Sequence, residues 1–195
     1  MKTYWTNTLA EGHAQQLLIE QFKLRKHLFV DKLKWHLKTI NGLEADQYDT
    51  LHASYCLTEK DGKLISSARI IPTDTDLVTS TYMIRDAALG KLEPSISQNL
   101  CTGYAPPCSE KIWEATRLTV HPDLPKTEKR TAIASTIDRM MIEARRNAIT
   151  HYIAIGGIDL ALGVRTAGYN AERLTDFQEV GSGRVAIYKL AAVHL

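Results

Sequence analysis

Residues 22–49, FKLRKHLFVDKLKWHLKTINGLEADQYD, combine residue types that packing alone does not explain. Leu18, Phe22, Arg25 and Phe29 are spaced four, three and four apart, which sets them on one face of a helix. An arginine therefore shares the face that should be buried. Asn41-Gly42 reads as a turn. The carboxylates that follow it, Glu44, Asp46 and Asp49, are too closely spaced and too mixed with apolar residues for a simple solvated acidic run. Buried charge needs an opposite charge or a charged ligand. Further on, Arg69 lies inside a strand-like run, and Glu114 and Arg117 stand three apart in another. Together these residues describe a ligand pocket lined with opposite charges. For Glu114 the competing reading is a strand-edge ion pair with Arg69 or Arg117. For Phe29 and Trp35 it is core packing.

Elements must bring these residues together. Residues 10–28 read as a first helix, and 30–50 as a mostly irregular stretch. Ala53–Thr58 and Leu64–Pro72 are apolar-rich runs separated by a segment containing Asp61-Gly62, a hairpin signal. Residues 73–111 hold loop residues and prolines, with one or two short helices. Ile112–Val120 alternates as a strand, so Glu114 and Arg117 point to opposite faces unless a bulge lies between them. Thr131–Ala148 is an amphipathic helix whose stripe is Ile133, Ile137, Met140, Met141 and Ala144. His151–Ile155 reads as a strand, Asp159–Ala167 as a helix stopped at Gly168, and Arg184–Val193 as a last strand. This order predicts a three-layer α/β domain around a mixed sheet.

Composition bounds the function. The 195 residues are 44% hydrophobic and 24% charged, which fits one globular domain over residues 1–195. A formal charge of +2 is too mild for nucleic-acid binding. Cys56, Cys101 and Cys108 are odd in number and lack metal-like spacing, and the seven histidines form no HxxxH pair. Reduced thiols and no metal are expected. No apolar run has membrane length, so the protein is read as cytoplasmic.

A wider pattern connects these residues. Leu24-Arg25-Lys26 with Phe29, Asp31, Leu33 and Trp35 is followed by Gly42-Leu43-Glu44, Asp46 and Asp49. Ser67-Ala68-Arg69-Ile70-Ile71-Pro72-Thr73 and Trp113-Glu114-Ala115-Thr116-Arg117 come next. The pattern resembles the acyl-homoserine lactone synthases, the LuxI-type autoinducer synthases, along nearly the whole chain. The resemblance implies an αβα sandwich with a mixed, mostly antiparallel sheet, similar to the N-acetyltransferases. It implies S-adenosylmethionine and an acyl thioester as substrates, with no cofactor. The products are an acyl-homoserine lactone, methylthioadenosine and the free thiol carrier.

Residue roles carry over as expectations. The catalytic set is Glu114, Arg117, Asp46 and Arg69, with Glu114 the base that takes the proton of the substrate amine. Arg25, Phe29, Trp35, Asp46, Asp49 and Arg117 hold S-adenosylmethionine, pairing its amine, carboxylate and sulfonium with carboxylates, arginines and rings. Thr116, Leu118, Met140, Ile153 and Ile155 line the acyl pocket. Threonine at the position of Ile153 goes with 3-oxo products in the family, so unsubstituted chains are expected here. Lys129, Arg130, Arg145 and Arg146, with Lys126, dock an acyl carrier protein, or the donor is acyl-CoA. The chain departs from the family at Asp86-Ala87-Ala88-Leu89, where an aromatic residue is common, and no glycines near 130–134 form an acetyltransferase pyrophosphate loop. An N-acetyltransferase on another amine, or a non-catalytic ligand-binding relative, is the alternative.

Overall fold

The computed structural model describes residues 1–180 and 183–194. Its elements in chain order are β1 (Lys2–Asn7), α1 (Gly12–Arg25), a π-helical segment (Lys26–Lys32), β2 (Thr39–Ile40), β3 (Leu43–Glu44), β4 (Ser54–Lys60) and β5 (Lys63–Pro72). Then come α2 (Met83–Ala88), a 3₁₀ turn (Gln98–Cys101), β6 (Ile112–Val120), α3 (Lys126–Arg146), β7 (His151–Gly156), α4 (Ile158–Thr166), β8 (Tyr169–Arg173), β9 (Gln178–Val180) and β10 (Gly183–His194). Two compact units form, Met1–Ile70 with Arg117–Met140, and Ile71–Thr116 with Met141–Leu195.

In the first unit β4 and β5 are a hairpin in which Lys60 faces Lys63. Asp61 and Gly62 both have positive φ, +52° and +77°, the primed two-residue turn that suits strand twist. Asn41-Gly42 makes the same turn (φ +51° and +78°), joins β2 to β3 and delivers Glu44. On its other edge β4 pairs antiparallel with β1, from Lys2 opposite Glu59 to Asn7 opposite Ser54. β1 was not expected. The start of α3 packs on β4 and β5 through hydroxyl groups. The Thr136 hydroxyl lies 2.7 Å from that of Thr58 and 2.9 Å from that of Ser66, and Ser66 donates to the Thr119 carbonyl at 2.7 Å. α3 begins at Lys126, five residues before the expected Thr131, directly after Pro125. Proline lacks the amide N–H that a helix start leaves unpaired in any case, so Pro125 marks the start of α3.

α1 buries Leu17, Leu18, Gln21, Leu24 and Arg25, and then widens into the π-helical segment instead of ending near residue 28. Such segments are rare and cluster at functional sites.

In the second unit the start of β6 pairs parallel with β7, placing Ile112 opposite His151 and Glu114 opposite Ile153. β7 pairs antiparallel with β10, which also pairs with β8 and β9. Tyr152, Ile153, Ile187 and Leu190 are buried there. The 73–111 stretch supplies α2 and the 3₁₀ turn, as expected. α4 is stopped at Gly168, which has φ +86°. All three cysteines are free, Cys56 and Cys101 buried and Cys108 exposed.

Candidate active site

Three arginines and three carboxylates interlock in the first unit. Arg25 comes from α1, Glu44 from β3, Asp46 and Asp49 from the turn after it, Arg69 from β5 and Arg117 from β6. Arg25 Nε donates to Glu44 Oε2 at 2.5 Å, and its Nη1 donates to Asp49 Oδ1 at 2.8 Å. Arg69 holds Asp46 with two contacts, 2.5 and 3.2 Å, and reaches Asp49 at 3.0 Å. Arg117 Nη2 bridges Asp46 Oδ2 at 2.8 Å and Glu44 Oε1 at 3.3 Å. The formal charges of the six cancel, as burial demands. Asp46 and Asp49 also shape their own turn, because Asp49 accepts from the Asp46 amide at 2.8 Å and Asp46 from the Tyr48 amide at 2.9 Å.

The electrostatics differ from member to member. Burial pushes the Asp49 carboxyl up, but Arg69 and Arg25 outweigh it and hold the group well below the usual range. Burial pushes Arg69 down, and Asp46 and Asp49 more than restore its charge. Arg117 is different: burial, with Arg69 and Arg25 nearby, pulls its pKa down despite Asp46 and Glu44. Its Nε and the Arg25 Nη2 are buried and lack a hydrogen-bond acceptor. Arg117 also has φ +53°, which breaks the regular alternation of β6 at that residue. Asp46 is the most accessible of the carboxylates, with its side chain 14% exposed.

Phe29 and Trp35 stack on one another, with centroids 4.9 Å apart and planes 12° apart. Arg117 faces Phe29 at 5.5 Å. Phe29 is buried, while Trp35 remains partly exposed. Tyr55, which sequence reasoning missed, donates to Asp49 at 2.9 Å. Its hydroxyl falls inside an ordinary apolar strand pattern, so no spacing signal marked it.

Glu114 lies in the second unit and is fully buried, not at an exposed strand edge. Its two oxygens accept from the first amides of α2, Ile84 at 2.7 Å and Met83 at 2.9 Å. Ile153 is its register partner on β7, so the two side chains project from the same face of the sheet. Thr116 and Ile153 are buried and Ile155 half-buried in this unit. Leu118, half-buried, and Met140, buried, belong to the first unit. Asp86, in the segment where the family often has an aromatic residue, is a buried acceptor for the Thr81 hydroxyl at 2.9 Å, close to the start of α2.

The basic residues are less specialised. Lys126 and Arg130 are exposed and Lys129 half-buried. Arg145 donates to the Ala192 carbonyl at 2.9 Å, and Arg146 pairs with Glu143 at 3.0 Å. Among the described residues no group of three or more His, Cys, Asp and Glu could hold a metal ion.

Residues 10–192 match the autoinducer synthase family. An acyl-homoserine-lactone synthase of Dickeya chrysanthemi is 44% identical over 66 residues, 33% of this chain and 31% of the relative. The match thus spans about a third of that relative's length. One from Vibrio anguillarum is 29% identical over 164 residues, 81% of this chain and 76% of the relative. Among solved structures, the synthase LasI has a TM-score of 0.80 at 21% identity, covering 98% of this chain and 90% of its own. BjaI, a CoA-dependent acyl-homoserine lactone synthase solved with SAM and isopentyl-CoA, has a TM-score of 0.77 at 18% identity, covering 98% and 83%. An acyl-CoA N-acyltransferase from Pseudomonas aeruginosa scores 0.59 at 11% identity, covering 98% and 99%. The fold is the α/β acyltransferase fold, with a mixed, mostly antiparallel sheet, as expected.

Proposed function

The chain belongs to the autoinducer synthase family, and from that premise we propose that it is an acyltransferase making an acyl-homoserine lactone from S-adenosylmethionine and an acyl thioester. The observation that carries this reading is the neutral, buried array of Arg25, Arg69, Arg117, Glu44, Asp46 and Asp49, with two guanidinium N–H groups left over. A ligand with its own carboxylate and amine completes such an array. Arg117, whose charge is least compensated and whose Nε lacks an acceptor, takes the substrate carboxylate. Asp46, the most accessible acid of the three, orients the amine. Trp35, stacked on Phe29, supplies an open ring face for the adenosyl and sulfonium part.

The reaction has two steps. Glu114, directly or through a water, takes a proton from the substrate amine, which attacks the thioester carbonyl and expels the thiolate. Two amide bonds fix the Glu114 carboxylate in place for that proton transfer. Donors near the break in β6 at Arg117 stabilise the oxyanion. The substrate carboxylate oxygen then attacks its own γ-carbon, and the carbon–sulfur bond breaks with its electron pair leaving on neutral methylthioadenosine. Orientation is the main requirement of that closure. No step calls for a metal or a resident cofactor.

The whole chain acts as one synthase domain in the cytoplasm, where three free thiols persist and both substrates are made. No helix among the described residues is long and apolar enough to cross a membrane. Lys126, Lys129 and Arg130 support docking of an acyl carrier protein. Arg145 and Arg146 add charge on the same helix, and acyl-CoA is the alternative donor. The test is incubation of the purified protein with S-adenosylmethionine and acyl carrier protein or CoA thioesters, followed by mass spectrometry. Lactone and methylthioadenosine in equal amounts are expected. Acylation of another amine by acetyl-CoA without S-adenosylmethionine, or binding without turnover, overturns the proposal.

A further inference from the structure

The charged groups around the π-helical segment are spaced in an unusual way. Lys26 Nζ lies 2.9 Å from Asp31 Oδ1, and Asp123, in the loop after β6, lies 3.3 Å from both His27 Nε2 and Lys32 Nζ. Both sets, 26 with 31 and 27 with 32, are five residues apart. In an α-helix at 3.6 residues per turn, residues five apart point about 140° away from each other. The wider π turn brings them to one side. The His121 ring adds to the junction, 5.7 Å from that of His27. These contacts fit the π register of residues 26–32, in which the His27 ring also lies 3.7 Å from Asp31.

That register matters because Phe29 lies in the middle of it. Phe29 stacks on Trp35 and faces Arg117, and Arg117 lies on the strand whose following loop carries Asp123. The loop that follows the arginine therefore also grips the helix that carries its aromatic neighbour. We propose that Asp123, by bridging His27 and Lys32, is a positioning residue that selects the π register and so sets the Phe29–Trp35 pair for the ligand. This rests on the reading of that pair as the S-adenosylmethionine contact.

The size of the effect follows from exposure. Asp123 is 58% exposed, and each solvent-exposed pair shifts an equilibrium by less than about fivefold. Removing Asp123 releases two such pairs and one register choice, so the KM for S-adenosylmethionine should rise about three- to tenfold with kcat nearly unchanged. The contacts are screened by salt, so the wild-type KM should drift toward that of the variant as ionic strength rises.

The experiment compares wild type, Asp123→Ala, Asp123→Asn and Asp123→Glu. Each is measured for KM and kcat, and for acrylamide quenching of Trp35 fluorescence in a background with Trp5→Phe and Trp113→Phe. Asp123→Ala and Asp123→Asn should raise KM and make Trp35 more quenchable, with Asp123→Glu restoring both. The quenching arm needs no turnover, so it reports on the latch even if the protein proves not to use S-adenosylmethionine. Unchanged Trp35 quenching overturns the latch. Changed quenching with unchanged KM overturns its link to the ligand, and an equal fall in kcat and thermal stability would mean a merely structural loop contact.

Discussion

At the scale of single residues, Asp46 and Asp49 are chemically alike and are expected to behave differently. Asp49 receives two buried arginines, the Tyr55 hydroxyl and the Asp46 amide, and its side chain is 5% exposed. Asp49→Asn leaves buried cations short of a partner, at a cost of about 3–5 kcal/mol, read as a lowered denaturation midpoint. Its folded pKa is depressed, so its contribution is complete above the unfolded value near ~4 and is lost as pH falls through the folded one. Stability of Asp49→Asn against pH should therefore be flatter than wild type on the acid side; parallel curves would refute this. Asp46→Asn should act mainly on S-adenosylmethionine KM, because this carboxylate is the more accessible and is the one proposed to orient the amine. With Glu114 as the proposed base, Glu114→Gln should lower kcat about 10²-fold. It also sets an amide donor against one of the α2 N–H groups, costing about 1–3 kcal/mol. If activity in Glu114→Gln follows the folded fraction alone, the base role is lost and only the helix-start role stands.

At the scale of elements, what the sequence made legible was what local chemistry controls. Asp61-Gly62 and Asn41-Gly42 both fold as positive-φ turns, and β6 keeps its expected bounds because prolines follow it closely. The spacing of Leu18, Phe22, Arg25 and Phe29 correctly set an arginine on a buried face. β1 was missed because KTYWTN is half-exposed and owes its strand to pairing with distant β4. The π segment was missed because helical periodicity looks the same for one turn in either register. Glu114 was expected either at a strand edge or as a base, and the amides of α2 that hold it are invisible to side-chain spacing. Two predictions belong to this scale. Thr136→Val removes the hydroxyl partner of Thr58, while Ser66 keeps its bond to the Thr119 carbonyl, and should cost about 1–3 kcal/mol in thermal unfolding, without moving KM. Ile153 is fully buried beside Glu114, and a 3-oxo group against it would leave an acceptor unpaired. Unsubstituted acyl thioesters should win in competition, and Ile153→Thr should shift the ratio toward 3-oxo donors; a wild-type preference for 3-oxo substrates removes Ile153 from the selecting wall.

At the scale of the whole molecule, stability on the alkaline side should follow His13. Its hydrogen bond to Glu59 raises its pKa, so the contribution is complete below the unfolded value near ~6.5 and fades as pH rises through the folded one. His13→Gln should remove that slope, as read by denaturant titrations between pH 6 and 8 (~6.5 being the reference imidazole value). The chain's partition carries a different consequence. The first unit takes its residues from two stretches separated by the whole of 71–116, and Arg117 is the first residue of the second stretch. During synthesis at roughly 5–20 residues per second, the ribosome makes Glu44, Asp46 and Asp49 with only Arg25 and Arg69 to offset them. One buried negative charge has no counterpart until the codon for Arg117 is translated. The nascent chain therefore has an electrostatic reason to delay closing its ligand site, and a transcript truncated before that codon yields a protein that cannot bury its own acids.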